Sequence, residues 1–307
     1  MPVVRFSGVN GVSLIGELEL PQKSTKRMAG LVLVAGSGPT DRNGNQLPAL
    51  RTDLLAQLAA ALAKQGIATL RYDKRGIGES GKPKKSESVS AFFDWPNFVA
   101  DVEAAATFLK AQPQIDPKRV GLLGHSEGGM LCLEAAAKVK PAALVLASTP
   151  GRSIEAVLTD QLAAILKAQK ATPEQTAFFL SDNIRIARAI KRSGVVPPDV
   201  PAGLAALYPA YLGPFLKGML SCEPVELAKA ISCPTLVLQG ERDLQVNPTL
   251  DARPLAAALG KRGQLSLIAG ASHNLKPTKN LTDPAFTGPV APAALEALTR
   301  WAAQRIG

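Results

Sequence analysis

Two histidines and three cysteines are all that 307 residues provide. Cys132, Cys222 and Cys233 are odd in number, lie far apart and form no C-x-x-C pair, which argues against a disulfide framework and against a zinc site. They read as reduced, buried thiols, and no metal is expected. No window approaches the roughly 18 uninterrupted apolar residues that a membrane span requires, so none is expected. The start, MPVVRFSGVNGVSLIGELEL, lacks the basic stretch and apolar run of a signal peptide, which predicts a cytoplasmic chain. Aromatic residues are sparse too, at 5%, and that bears on the net charge of +10. The excess is spread out: residues 1–150 carry 18 basic and 13 acidic groups, 151–230 carry 9 and 7, and 231–307 carry 8 and 5. A groove that follows a phosphate backbone needs clustered Lys/Arg beside rings that stack on bases. The densest basic run, Lys82 to Lys85, contains no ring, so it reads as a solvated loop and no nucleic-acid partner is expected.

What is present suits a globular enzyme. The apolar fraction of 46% with 20% charged residues rules out disorder, and the length allows one large α/β domain or a domain carrying an insertion. VSLIGELEL (12–20) nearly alternates, as an antiparallel strand with one wet face does. GLVLVAG (30–36), IATLRYD (67–73), RVGLLGHS (119–126), AALVLAS (142–148), PTLVLQG (234–240) and QLSLIAG (264–270) are continuous apolar runs, as strands covered on both faces require. Amphipathic stretches lie between most of them; in 97–110, Phe98, Val102, Ala105 and Leu109 recur at helical spacing along one stripe. Alternating strand and helix predicts a mostly parallel sheet with right-handed crossovers and helices on both faces. The alternation breaks once. Residues 151–230 read as helix after helix with punctuation such as GVVPPDVPAG, an insertion into a core formed by 1–150 and 231–307. It holds Phe178, Phe179, Tyr208, Tyr211 and Phe215, which either wall a pocket for an apolar group or only join the inserted helices.

GHSEGG (124–129) follows a buried strand and precedes the helix-like MLCLEAAAKV. A serine on such a strand-to-helix turn needs glycines two before and two after it, and Gly124 and Gly128 fill those places around Ser126. The turn sets the hydroxyl at a helix N-terminus, where N–H groups and the dipole favour negative charge. A serine hydroxyl is too weak an acid to ionise near neutral pH, so a base must take its proton. His125 is the immediate neighbour and its side chain should diverge from that of Ser126. By elimination His273, in the loop ASHN after an apolar run, is the candidate base. The orienting carboxylate should fall between serine and histidine, just past a strand. PTLVLQGERD offers Glu241 and Asp243, with Asp251 further on; Asp243 is preferred because a turn of two or three residues after Gly240 is needed to point inward. Two N–H donors for an oxyanion are expected from Glu127 and from Ser37 or Gly38 in AGSGPTDRNGN (35–45). That loop lacks both the Gly-Lys-Ser/Thr ending of a P-loop and a complete G-x-G-x-x-G, which disfavours a nucleotide.

GSGPTDRNG, YDKRGIGES, GHSEGG, GERD and GASH occur in an order that resembles the α/β-hydrolase superfamily over essentially the whole chain. The similarity is to bacterial carboxylesterases and related acyl hydrolases whose oxyanion loop reads H-G-S-G-P-x-D-R-D-G. The resemblance implies an eight-stranded, mostly parallel sheet, a helical cap after the sixth strand, no cofactor, and hydrolysis of a small-molecule acyl ester through an acyl-enzyme. Ala35 departs from the pattern, standing where many relatives place histidine. Asp73 and Arg75, within YDKRGIGES, match a family motif and read as structural. The alternatives are an acyl-CoA thioesterase, a serine aminopeptidase-like hydrolase, an acyltransferase, and a non-catalytic ligand-binding member of the fold.

Overall fold

The structure is a computed structural model that describes residues 2–21, 27–279 and 283–307. Eight strands form one sheet: β1 (Val3–Ser7), β2 (Ser13–Glu19), β3 (Met28–Val34), β4 (Ala68–Tyr72), β5 (Ile115–His125), β6 (Leu144–Ala147), β7 (Thr235–Gly240) and β8 (Gly263–Ile268). Their order is β1-β2-β4-β3-β5-β6-β7-β8. β2 runs antiparallel to both β1 and β4, and the remaining pairs are parallel. Each of the seven hydropathy runs overlaps one of these strands, though β3, β5 and β8 begin before their runs do. β1 left no such signal because it is short, lies at the sheet edge and buries only Phe6.

Ten α-helices are found among the described residues: α1 (Leu54–Ala63), α2 (Val89–Phe92), α3 (Trp95–Lys110), α4 (Glu127–Val139), α5 (Ile154–Ala168), α6 (Pro173–Ser193), α7 (Gly213–Ser221), α8 (Pro224–Ala230), α9 (Arg253–Leu259) and α10 (Pro292–Arg305). Successive strand side chains point to opposite faces. Ala29, Leu31 and Leu33 of β3 share one core with Leu54, Leu55, Leu58 and Leu62 of α1 and with Leu298 and Trp301 of α10. Val32 and Val34 face the other way and are equally buried, so both faces are covered. Each of these leucines stabilises the fold by about 1.5–3 kcal/mol through burial. The stripe Phe98, Val102, Ala105 and Leu109 of α3 is buried throughout. Because β3 to β8 run parallel, the loops leaving β3, β4, β5, β7 and β8 open at one edge of the sheet, where α/β folds bind their ligands.

The chain divides into two compact units, one of Met1–Lys82, Val99–Gly151 and Pro224–Gly307, the other of Pro83–Phe98 and Arg152–Glu223. The second is helical. Within it, Thr172 caps α6 in a reciprocal pair with Gln175, Pro173 opens the helix, and Gly194 closes it at φ 74°. Buried Asn183 ties α6 to its surroundings: its amide donates to Thr159 Oγ1 (3.1 Å), and its carbonyl accepts from the Tyr208 hydroxyl (2.6 Å). Phe215 packs edge-on against Trp95 and Phe98 at 5.2 and 5.1 Å. Of the five aromatic residues singled out in the insertion, Tyr208 and Phe215 therefore serve packing, while Phe178 and Tyr211 are about half exposed.

Candidate active site

The serine sits on a strained turn between β5 and α4. Ser126 has φ 54° and ψ −123°, a conformation that costs a non-glycine residue about 1–3 kcal/mol and persists only where its surroundings enforce it. The enforcement is visible: the Ser126 N–H donates to Ala147 O (2.8 Å), and its carbonyl accepts from Gly129 N–H (2.9 Å). A Cβ on Gly124 would lie 2.2 Å from Gly128 O, and one on Gly128 would lie 2.4 Å from Val34 O. Any side chain at either position would push the turn away from the strands that shape it.

The loops after β7 and β8 are joined by hydrogen bonds, from Glu241 N–H to Ile268 O (3.0 Å) and from Arg242 N–H to Ala271 O (2.9 Å). This brings Asp243 against His273, with Nδ1 at 2.8 Å from Oδ2. A carboxylate only accepts, so Nδ1 carries a proton, and in the neutral imidazole the lone pair is then on Nε2. Asp243 is saturated: Oδ2 also accepts from Gln239 Nε2 (2.7 Å), and Oδ1 from the N–H groups of Gln245 (2.8 Å) and Val246 (2.9 Å). Burial opposes its ionisation, but the His273 ring and the backbone N–H groups of Val246 and Gln245 outweigh burial and hold its pKa below the usual carboxylate value. Of the other two carboxylates, Glu241 is exposed, and Asp251 accepts from the N–H groups of Gly151 and Asn247.

Ser126 and His273 line one cavity of about 120 Å³ together with Gly36, Ser37, His125 and Asn274, among others. Ser37 belongs to this lining and Gly38 does not. Among the described residues no acceptor is found for the N–H of Ser37, while its carbonyl is held by Thr40 Oγ1 and Gln46 Nε2. Glu127 opens α4, and the first N–H groups of a helix have no partner within it. The His125 ring is engaged elsewhere: its Nε2 donates to the His273 carbonyl at 3.1 Å, and the two rings stand 4.8 Å apart. Burial, followed by the proximity of His273, lowers the His125 pKa to about 3, so it is neutral and unsuited to taking a proton. Asp73 accepts from Arg42 and from the Glu79 N–H, and Arg75 pairs with buried Asp101 at 2.8 Å. Among the described residues no group of three or more His, Cys, Asp or Glu side chains could hold a metal, and no helix is long and apolar enough to cross a membrane.

Two supporting residues went unnoticed in the sequence. Gln239 was detectable as the one side-chain amide in PTLVLQG. Lys74, in YDKRG, is nearly fully buried; it donates to Gly36 O (2.7 Å) and pairs with Glu127 (3.2 Å), contacts that span 38 and 53 residues and leave no local trace.

The sheet order and the strained serine after β5 define an α/β-hydrolase fold. The family model described as serine aminopeptidase, S33 matches residues 51–277, and the chain belongs to that family. It is similar to the esterase EstD of Thermotoga maritima, 29% identical over 78% of this chain and 51% of that one. It also resembles the thiohydrolase aneE of Aspergillus aculeatus, 29% identical over 63% of this chain and 57% of the other. The chain thus spans little more than half the length of these curated relatives. Among solved structures it shares its fold with Est1E of Butyrivibrio proteoclasticus, bound to ferulic acid (TM-score 0.63, 16% identity, 99% of both chains). The proline iminopeptidase of Mycobacterium smegmatis is a further likeness (TM-score 0.62, 19% identity, 99% of this chain and 98% of that one).

Proposed function

We propose that this protein is a serine hydrolase that cleaves small acyl esters, with Ser126 as nucleophile, His273 as base and Asp243 as the group that orients the base. The observation that carries the reading is the 2.8 Å bond from His273 Nδ1 to Asp243, because in the neutral ring it puts the lone pair on Nε2, and His273 and Ser126 line the same cavity. Ser126 Oγ attacks the acyl carbon while its proton passes to His273 Nε2. The carbonyl oxygen becomes an oxyanion bound by the N–H groups of Ser37 and Glu127. His273 then gives the proton to the departing alcohol as the C–O bond breaks, leaving an acyl-enzyme. A water repeats the sequence, losing one proton to His273 and its oxygen to the acid product, and Ser126 is restored. No cofactor takes part.

The esterase among the relatives supports this reading, and the thiohydrolase supports thioester cleavage as the second. Ser126→Ala should lower turnover of p-nitrophenyl acetate to within about 10³–10⁴ of the rate in water, with the melting temperature preserved. A fluorophosphonate probe should label the parent protein and not the variant. Retention of most activity by the variant refutes the assignment. Faster cleavage of acyl-CoA than of the matched oxygen ester selects the second reading.

A further inference from the structure

An oxyanion site depends on two N–H groups being aimed at one point, yet here they come from loops that follow different strands. Ser37 follows β3, and Glu127 opens the helix after β5. The Lys74 ammonium reaches both. It donates to Gly36 O at 2.7 Å and pairs with Glu127 Oε1 at 3.2 Å, and both side chains are only 4% exposed. Gly36 O and Ser37 N–H belong to the same peptide unit. Because that unit is planar and trans, its carbonyl and N–H point in opposite directions. A cation fixed on the carbonyl oxygen therefore fixes where the N–H points. It also withdraws electron density through the amide, making the N–H a stronger donor where the surroundings are dry. At the other end the same ammonium holds the side chain of the residue that supplies the second N–H. It also neutralises a buried carboxylate whose charge would otherwise oppose the oxyanion.

We propose that Lys74 is a positioning residue that aligns and polarises the two oxyanion donors through the Gly36–Ser37 peptide and Glu127. This rests on the hydrolase reading above. Removing an oxyanion donor outright costs about 10²–10³ in kcat, and misaiming one should cost less.

The test uses the full chain and p-nitrophenyl acetate. Lys74→Met leaves Glu127 buried and unpaired, so a folding defect is a risk; Lys74→Met/Glu127→Gln removes both charges and keeps the shapes. The double variant should melt within a few degrees of the parent. Its kcat should be roughly 10- to 100-fold lower with KM nearly unchanged, and inhibition by a boronic acid that mimics the tetrahedral intermediate should weaken by the same factor. Lys74→Arg, which keeps a cation in reach of Gly36 O, should recover part of the loss. A folded double variant with kcat and boronic-acid affinity within twofold of the parent overturns the inference. So does a loss of activity that leaves boronic-acid affinity untouched. Either failure is distinct from failure of the hydrolase reading, which shows instead as activity surviving Ser126→Ala.

Discussion

Asp243→Asn is the sharpest probe of the site, because the four donors converging on this carboxylate limit how an amide can fit. Oδ2 accepts from His273 Nδ1 and Gln239 Nε2, and Oδ1 accepts from the N–H groups of Gln245 and Val246. Asparagine has one accepting oxygen and one donating nitrogen. With its oxygen toward His273, its NH₂ meets two backbone N–H groups and two hydrogen bonds are lost. With its oxygen toward the backbone, those two survive, the Gln239 bond is lost, and the NH₂ faces His273 Nδ1. The second arrangement sacrifices less. It requires a bare Nδ1, so the proton moves to Nε2 and the base disappears. The expected loss in kcat for p-nitrophenyl acetate at pH 7 is therefore about 10³–10⁴, as for a triad whose imidazole is held in the wrong tautomer. Gln239 Nε2 keeps acceptors at Gly240 O and Val246 O, both at 3.3 Å, so losing its bond to residue 243 should lower unfolding free energy by only about 0.5–1.5 kcal/mol, read by urea titration. Glu241→Gln, on an exposed side chain two residues away, should stay within twofold in both measurements. A loss below tenfold in Asp243→Asn, or an equal loss in Glu241→Gln, would refute the assignment of the orienting carboxylate.

The elbow and the second histidine make further demands. Gly124→Ala places a methyl 2.2 Å from Gly128 O, so α4 must shift; soluble yield or melting temperature should fall, and any folded fraction should lose at least tenfold in kcat, whereas parent-like activity contradicts the packing of the turn. His125 has its pKa held at about 3 by burial and by His273, against about 6.5 in an unfolded chain. Between these values the unfolded chain binds a proton that the folded one refuses, so the contribution is complete above pH 6.5 and is lost as pH falls toward 3, at about 1.4 kcal/mol per pH unit. His125→Gln should flatten the fall of unfolding free energy between pH 5.5 and 4.5 by about that amount; an unchanged slope shows that the buried ring is not the group refusing the proton.

Much of the molecule is written in local pattern. The inner strands are legible because burial on both faces demands unbroken apolar runs, and the stripe of α3 because burial on one side demands helical spacing. Ser126 is legible because its turn requires glycines at fixed offsets, and His273 because a chain with two histidines, one of them beside the serine, leaves a single choice. Tertiary structure decided what depends on residues meeting from afar. The sequence offered Glu241, Asp243 and Asp251 as candidates; only the bonds joining the β7 and β8 loops bring one of them to the ring, 30 residues away. Which of Ser37 and Gly38 lines the cavity, and which carbonyl and carboxylate the Lys74 ammonium meets, depend on loops delivered by other strands. Periodicity records how each segment meets the core or the solvent, whereas a hydrogen bond between distant loops exists only once the sheet has set them side by side.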